Sequence, residues 1–217
     1  MNRCKICKSD TLMITDIKTS RNYHKCLTCE YIFLDKSFHL EEEMQKQHYD
    51  NHDNNLESLG YVKMFEELIE EFVTPYASTI ETALDFGCGE GEVLSIILRK
   101  IGIKSDSYDL FYFPKKVYEG KKYDLIASTE VFEHLSDVDA VMKILLEYLN
   151  DNAYLLLMTS FHPNDDDKFF RWYYIKDMTH VGFFTLETFE YIATKYNLKI
   201  VKTNHKNTIL LQKNIKH

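Results

Sequence analysis

Two groups of residues in this chain have the types and spacing to do chemistry. The first is Asp85-Phe86-Gly87-Cys88-Gly89-Glu90-Gly91, a glycine-rich turn with acidic neighbours. Glycines at such a turn let the backbone approach a ligand and take up dihedrals that other residues avoid. The GxGxG spacing departs from the GxGxxG dinucleotide fingerprint. Asp85, Glu90 and Glu92 would repel a pyrophosphate at the helix start and tolerate or attract a cation. S-adenosylmethionine carries an ammonium and a sulfonium, so the loop suits it better than NAD or ATP. Asp109 lies 18 residues beyond Gly91, near the spacing of about 20 at which an acidic residue meets ribose hydroxyls. The other reading of Asp109 is an ordinary loop or cap aspartate.

The second group is Cys4-Lys5-Ile6-Cys7 and Cys26-Leu27-Thr28-Cys29, separated by 18 residues. Two CxxC turns at this interval supply four thiolates in a tetrahedron, the pattern of a Cys4 zinc site. The alternative is two reducible disulfides or a metal-free remnant. With Met1 opening onto Asn-Arg-Cys-Lys rather than an apolar stretch, thiolates on a metal are expected over disulfides. So small a module lacks a large core, and the metal would supply much of its folding free energy. Cys88, inside the glycine loop, reads as a small packed residue.

The elements that must position these groups follow from hydrophobic patterning. Residues 1–36 are expected to form the zinc-ribbon-like module, with short strands around Leu12-Met13-Ile14 and Tyr31-Ile32-Phe33. Residues 37–80 form an acidic helical connector in which Val62, Phe65, Leu68, Ile69 and Phe72 share one helical face until Pro75 closes it. His48, Tyr49, His52 and Tyr61 cluster there, either as part of a lid over a cofactor or on a solvated linker. Residues 81–217 alternate strands and helices, the signature of a parallel α/β sheet with crossovers. Strands are expected over 82–86, 105–110, 123–128, 153–159, 198–203 and 208–212, with helices over 92–101, 138–149 and 186–196. Only 13 residues separate Asp109 from Tyr123, too few for a crossover helix and another full strand, so one sheet edge should be reduced.

Charge and length narrow the function classes. The net charge of -8 divides into +3 over residues 1–36 and -9 over residues 37–81, and no segment carries a basic stripe. Phosphate neutralisation by Lys and Arg dominates nucleic-acid affinity, so a broad nucleic-acid footprint is not expected. Four thiolates on a dication would lower the charge of the first module further, to about +1. Apolar runs such as Tyr154 to Met158 fall far short of the roughly 20 residues that span a bilayer. A cytoplasmic protein with no membrane span is expected.

Taken together, Asp85 to Gly91, Asp109, Tyr123-Asp124-Leu125-Ile126 and Glu130-Val131-Phe132-Glu133-His134-Leu135 resemble successive motifs of class I S-adenosylmethionine methyltransferases. The segment Trp172 to Val181 and the two CxxC pairs resemble one bacterial subgroup of these enzymes. The resemblance covers nearly the whole chain. It implies a doubly wound, Rossmann-like α/β sheet with S-adenosylmethionine as cofactor. It further implies that Gly87, Gly89 and Gly91 line the methionine part, Asp85 acts through the loop toward the amino group, Asp109 accepts ribose hydroxyls, and Glu130 lies near cofactor and acceptor. The polar residue that commonly meets the adenine amine has no counterpart after Asp109, and Leu110, Phe111 and Phe113 stand there as an apolar wall instead.

Methyl transfer is an in-line displacement on an already activated carbon, so positioning supplies much of the rate. A base is needed only when the acceptor begins protonated, and an imidazole suits that task near neutral pH. His134, just past a strand end, and His180, three residues after Asp177 and so oriented by it, are the candidate bases. Each also suits a plain structural role in a cap or a packing hydrogen bond. Trp172, Tyr173, Tyr174, Phe183 and Phe184 are candidates for an acceptor pocket or for core. The expected function is methylation of a small-molecule acceptor such as a phenolic, quinol, sugar or lipid-linked hydroxyl. The alternative is an rRNA or tRNA base methyltransferase that grips RNA with the zinc ribbon. A cofactor-binding protein without transfer activity is a third.

Overall fold

The computed structural model describes residues 2–50 and 56–215; His52 of the connector cluster lies outside the described residues. The amino-terminal residues form strands β1 (Thr11–Asp16), β2 (Arg21–Cys26) and β3 (Ile32–Leu34). The connector forms helices α1 (Glu42–Tyr49) and α2 (Leu59–Phe72). There follow β4 (Thr82–Phe86), α3 (Val93–Lys100), β5 (Lys104–Tyr108), β6 (Tyr123–Thr129), α4 (Val138–Tyr148) and β7 (Leu149–Met158). The chain continues through α5 (Asp166–Arg171), β8 (Gly182–Phe183), α6 (Leu186–Lys195), β9 (Leu198–Thr203) and β10 (Thr208–Lys213).

Six strands make the central sheet in the order β5-β4-β6-β7-β10-β9. β4 pairs in parallel with β5 and β6, β6 in parallel with β7, and β10 runs antiparallel to both β7 and β9. The strands are covered on both sides, which is why they read as near-continuous apolar runs. Leu84, Ile126, Leu155, Leu157, Ile209 and Leu211 share a core with Val138, Met142 and Leu145 of α4 and Phe189 and Ile192 of α6. Their sequence neighbours Ala83, Leu125, Leu156, Met158 and Leu210 belong to a second core with Phe65, Leu68, Ile69 and Phe72 of α2 and Leu94 and Ile97 of α3. The switch of core at every residue is the two-residue period of a strand expressed in packing.

The sheet ends at β5, whose polar sequence Lys-Ser-Asp-Ser-Tyr is only partly covered. Between it and β6 the chain makes a single bridge from Asp109 to Phe113 and a series of turns. This is the reduced edge that the short interval demands.

The amino-terminal strands form a second sheet, in the order β1-β2-β3-β8. β3 pairs with Gly182 and Phe183, and Leu34 N–H donates to Val181 O at 2.9 Å. A Cβ on Gly182 would overlap the Tyr31 hydroxyl, so glycine lets the two segments close. Thr188 Oγ1 donates to Cys29 O and Lys195 Nζ to Ile6 O, each at 2.8 Å, which fixes the cysteine turns to α6. Among the described residues, no helix is long and apolar enough to cross a membrane.

Candidate active site

β4 delivers the glycine loop to the carboxyl edge of the sheet. Asp85 is fully buried, and among the described residues neither carboxylate oxygen has a well-formed hydrogen bond, although the Ser95 backbone N–H partly offsets the burial. Burial pushes its carboxyl up to about 7, with the charges of Asp109 and Glu92 adding to the effect. A buried carboxylate without a partner is costly and is satisfied by a cation or further donors. Gly87, at φ 86°, and Cys88 both donate backbone N–H to Tyr108 O, at 2.7 and 3.1 Å. A Cβ on Gly87 would overlap Val131 Cγ2, whereas around Gly89, at φ 64°, the corresponding space is open. Gly91 sits in the turn that leads into α3. Glu92, also left-handed at φ 46°, has Oε1 3.3 Å from Arg99 Nη2.

Asp109 knits this loop to the next. Its Oδ2 accepts from Gly89 N at 3.1 Å, and its Oδ1 from Phe111 N and Tyr112 N at 2.8 and 3.1 Å. Carboxylate oxygens carry two lone pairs each, so Oδ2 retains capacity for another donor. Leu110 is 61% exposed, and the half-buried Phe111 ring lies 5.6 Å from Tyr49 of α1.

The second half of the site follows β6. Glu130 adopts a left-handed φ of 53° and donates its N–H to Met158 O at 2.8 Å. Glu133, in the next turn, is fully buried, and its Oε2 has no hydrogen-bond partner among the described residues. The Tyr174 hydroxyl lies 2.5 Å from Glu133 Oε1 and 3.1 Å from Glu130 Oε2. Glu130 is solvent-exposed as a residue yet set deep among protein atoms, as a side chain at the floor of a cleft would be. Burial raises both above the usual range, and the charge of Glu133 adds to the effect at Glu130, which reaches about 9. One phenol hydrogen serves one carboxylate, so a proton held on the pair completes the network.

Both candidate histidines meet this network. His134 Nδ1 lies 3.1 Å from Thr179 O and His180 Nδ1 lies 2.8 Å from Tyr174 O. A carbonyl only accepts, so each Nδ1 carries the hydrogen, and a ring in its neutral form bears its lone pair on Nε2. The two ring centroids are 4.8 Å apart, and His134 Nε2 is 4.0 Å from Glu133 Oε1. Burial, with His134 adding to it, pushes His180 down to about 4, leaving a neutral imidazole at neutral pH. Asp177 Oδ2 stands 3.8 Å from His180 Nε2 and 3.1 Å from His48 Nε2. Although burial opposes it, hydrogen bonds from Thr179 hold the Asp177 carboxyl below the usual carboxylate range.

The connector covers this edge. Tyr49 meets His134 edge to face with ring centroids 5.2 Å apart, and Tyr112 Oη donates to Asp50 Oδ1 at 2.8 Å. The aromatic loop divides. Phe183 and Phe184 are fully buried in the cores, Trp172 packs 4.8 Å from Tyr174, and Tyr173 is 66% exposed. A recess lined by Lys104, Lys121 and Lys122 lies at the opposite, amino ends of the strands.

Thus Asp85, Asp109, Glu130, His134, Asp177 and His180 gather along one sheet edge. The reading of residue spacing passed over Glu133 and Tyr174 as partners, and His48 as the neighbour of Asp177. The pair Glu130 and Glu133, three residues apart just past a strand, is the signal that could have drawn attention to them.

The four cysteines gather elsewhere. Cys4 Sγ lies 3.6 Å from Cys29 Sγ and Cys7 Sγ lies 3.3 Å from Cys26 Sγ, with all four thiols free of disulfides. Ile6 N and Cys7 N point at Cys4 Sγ, and Thr28 N and Cys29 N at Cys26 Sγ, at 3.4–3.5 Å. Thiolates about 2.3 Å from a tetrahedral zinc stand about 3.8 Å apart, so little movement separates this cluster from a metal-bound one.

Residues 60–203 match the family described as "Methyltransferase domain". The chain belongs to this family, and as an enzyme it is an S-adenosylmethionine-dependent methyltransferase. Solved structures of similar fold include a plantazolicin methyltransferase in complex with a monoazolic desmethylPZN analog and SAH, at 15% identity and TM-score 0.50, covering 80% of this chain and 90% of that one. A magnesium protoporphyrin IX methyltransferase from Synechocystis PCC 6803 with bound SAM has 15% identity and TM-score 0.52, covering 80% of this chain and 92% of that one. At such identities the likeness is one of fold. No curated protein matched the sequence.

Proposed function

We propose that the carboxyl edge of the central sheet binds S-adenosylmethionine and presents its methyl group to a small-molecule hydroxyl acceptor. The observation that carries this reading is Asp85, a fully buried carboxylate with no well-formed hydrogen bond among the described residues, beside a left-handed glycine turn, in a chain of this family. Gly87, Gly89 and Gly91 form the cradle for the methionine part, and Asp85 acts through the loop toward the ammonium. The remaining acceptor capacity of Asp109 serves the ribose hydroxyls, and Leu110 and Phe111 flank the adenine. Glu130 stands between cofactor and acceptor.

In the transfer, the acceptor oxygen attacks the methyl carbon as the carbon–sulfur bond breaks and its electron pair stays on sulfur. The proton of the acceptor passes to the cluster of Glu130, His134 and His180, in which the Tyr174 carbonyl orients His180 through Nδ1 and Asp177, 3.8 Å from Nε2, stabilises the imidazolium that forms. Trp172, Tyr173 and Tyr174 give the acceptor an aromatic wall. Cys4, Cys7, Cys26 and Cys29 hold one zinc ion that organises residues 1–36. Support for the small-molecule reading comes from the acidic connector over the edge and from the lack of a basic stripe.

Calorimetric titration with S-adenosylhomocysteine and with NAD, followed by a labelled-methyl screen over small-molecule, protein and RNA fractions, tests the proposal. Equal affinity for NAD, or label appearing only in RNA, would overturn it.

A further inference from the structure

His134, His180 and Glu133 together have the makings of a metal site separate from the four cysteines. We propose that Glu133, His134 and His180 bind a first-row divalent cation at the acceptor side of the active site. This rests on the methyltransferase reading only for what the cation does, and not for its binding. One ligand atom from each of the three lies within 4.8 Å of the others. A cation about 2.1 Å from two nitrogens and an oxygen needs separations of about 3–3.6 Å, within reach of small side-chain rotations.

Three further observations point the same way. Both Nδ1 atoms are engaged by backbone carbonyls, of Thr179 and Tyr174, which directs the lone pair of each ring to Nε2. That carbonyl brace is the arrangement that orients metal-bound histidines. Glu133 is fully buried with one oxygen unsatisfied among the described residues, and a bound cation relieves that cost. Tyr174 donates to Glu133 Oε1 at 2.5 Å, the oxygen that stands 4.0 Å from His134 Nε2, and so fixes the carboxylate beside the rings.

Two imidazoles and one carboxylate leave coordination positions open and suit manganese, iron or zinc better than magnesium or calcium. The open positions would take the acceptor oxygen. With both Nε2 atoms on the cation, the histidines are ligands and not bases. Binding of the cation to Glu133 displaces the proton that the Glu130–Glu133 pair holds and leaves Glu130 as a carboxylate. The acceptor's O–H bond then breaks with its proton passing to Glu130, and the oxygen remains on the cation until it attacks the methyl carbon.

The test uses manganese(II), which the thiolate cluster disfavours. Calorimetry and manganese paramagnetic resonance on the full chain should give one ion per chain. Affinity should fall at least about tenfold in Glu133→Gln, His134→Asn and His180→Asn. Near-ultraviolet circular dichroism identifies any variant that has lost its fold. No manganese or cobalt binding by the unaltered protein at millimolar ion, or the same affinity in folded variants, overturns the inference. Loss of S-adenosylhomocysteine binding by the unaltered protein would count against the methyltransferase reading instead.

Discussion

The Tyr174 hydroxyl sits 2.5 Å from Glu133 Oε1, joining the aromatic loop to the turn after β6 across 41 residues of sequence. Tyr174→Phe removes the phenol hydrogen bond to that oxygen while leaving the ring packing with Trp172 in place. Leaving a buried acceptor unsatisfied costs about 1–3 kcal/mol. Urea unfolding should show a loss of that size. An unchanged midpoint would mean that the phenol adds nothing to the site's stability.

Asp85 makes stability depend on pH in a definite direction. Its folded value of about 7 lies above the ordinary 3.8, so the folded protein holds a proton that the unfolded chain has released between those values. The stabilisation is complete below about pH 4 and is lost as pH rises through 7. Asp85→Asn should therefore gain on the unaltered protein by a few kcal/mol between pH 5 and pH 8, while binding S-adenosylhomocysteine more weakly. Parallel denaturation curves at the two pH values would contradict this.

Gly87 and Gly89 share a left-handed backbone but differ in surroundings. Gly87→Ala meets Val131 as well as strained dihedrals and should cost more than the ~1–2 kcal/mol of strain alone. Gly89→Ala projects its methyl group into open space. It should cost about 1–2 kcal/mol of stability but at least tenfold in cofactor affinity, ~1.4 kcal/mol. Thermal melts and calorimetry on the two variants separate the effects.

Metal analysis should find one zinc per chain associated with the cysteines, lost in Cys26→Ser. Loss of that zinc should also loosen β8, because β3 pairs with it. Hydrogen exchange at Gly182 and Phe183 is the direct readout, and full protection in the zinc-free protein would refute the link.

Replacing Asp109 by Asn keeps the shape but weakens the acceptor for ribose hydroxyls. Affinity for S-adenosylhomocysteine should drop at least tenfold, ~1.4 kcal/mol. Affinity equal to that of the unaltered protein would leave Asp109 as a loop cap only.

The strands of the central sheet were legible because burial on both faces writes itself as apolar runs: β4 and β9 coincide with the spans read from the sequence. α2 was legible from Phe65, Leu68, Ile69 and Phe72 on one face. β2 was not, since Arg-Asn-Tyr-His-Lys-Cys has no two-residue apolar alternation and its pairing depends on both neighbours. The connector, read as one helix-prone stretch, carries two helices. At the site, the glycine loop was legible because its chemistry is local. The Tyr174–Glu133 bond, the His48–Asp177 contact and the burial of Phe183 and Phe184 join distant parts of the chain, and no local pattern encodes them.

The pairing of β3 with β8 has a consequence for synthesis. Some 150 residues separate the two strands, so the ribosome delivers β3 long before its partner. Until Gly182 and Phe183 emerge, β3 presents an open edge of unpaired backbone groups and apolar side chains, the kind of edge that invites association between chains. Production of this protein should then be limited by how well that edge is shielded during translation, with slow elongation after residue 36 extending the hazard.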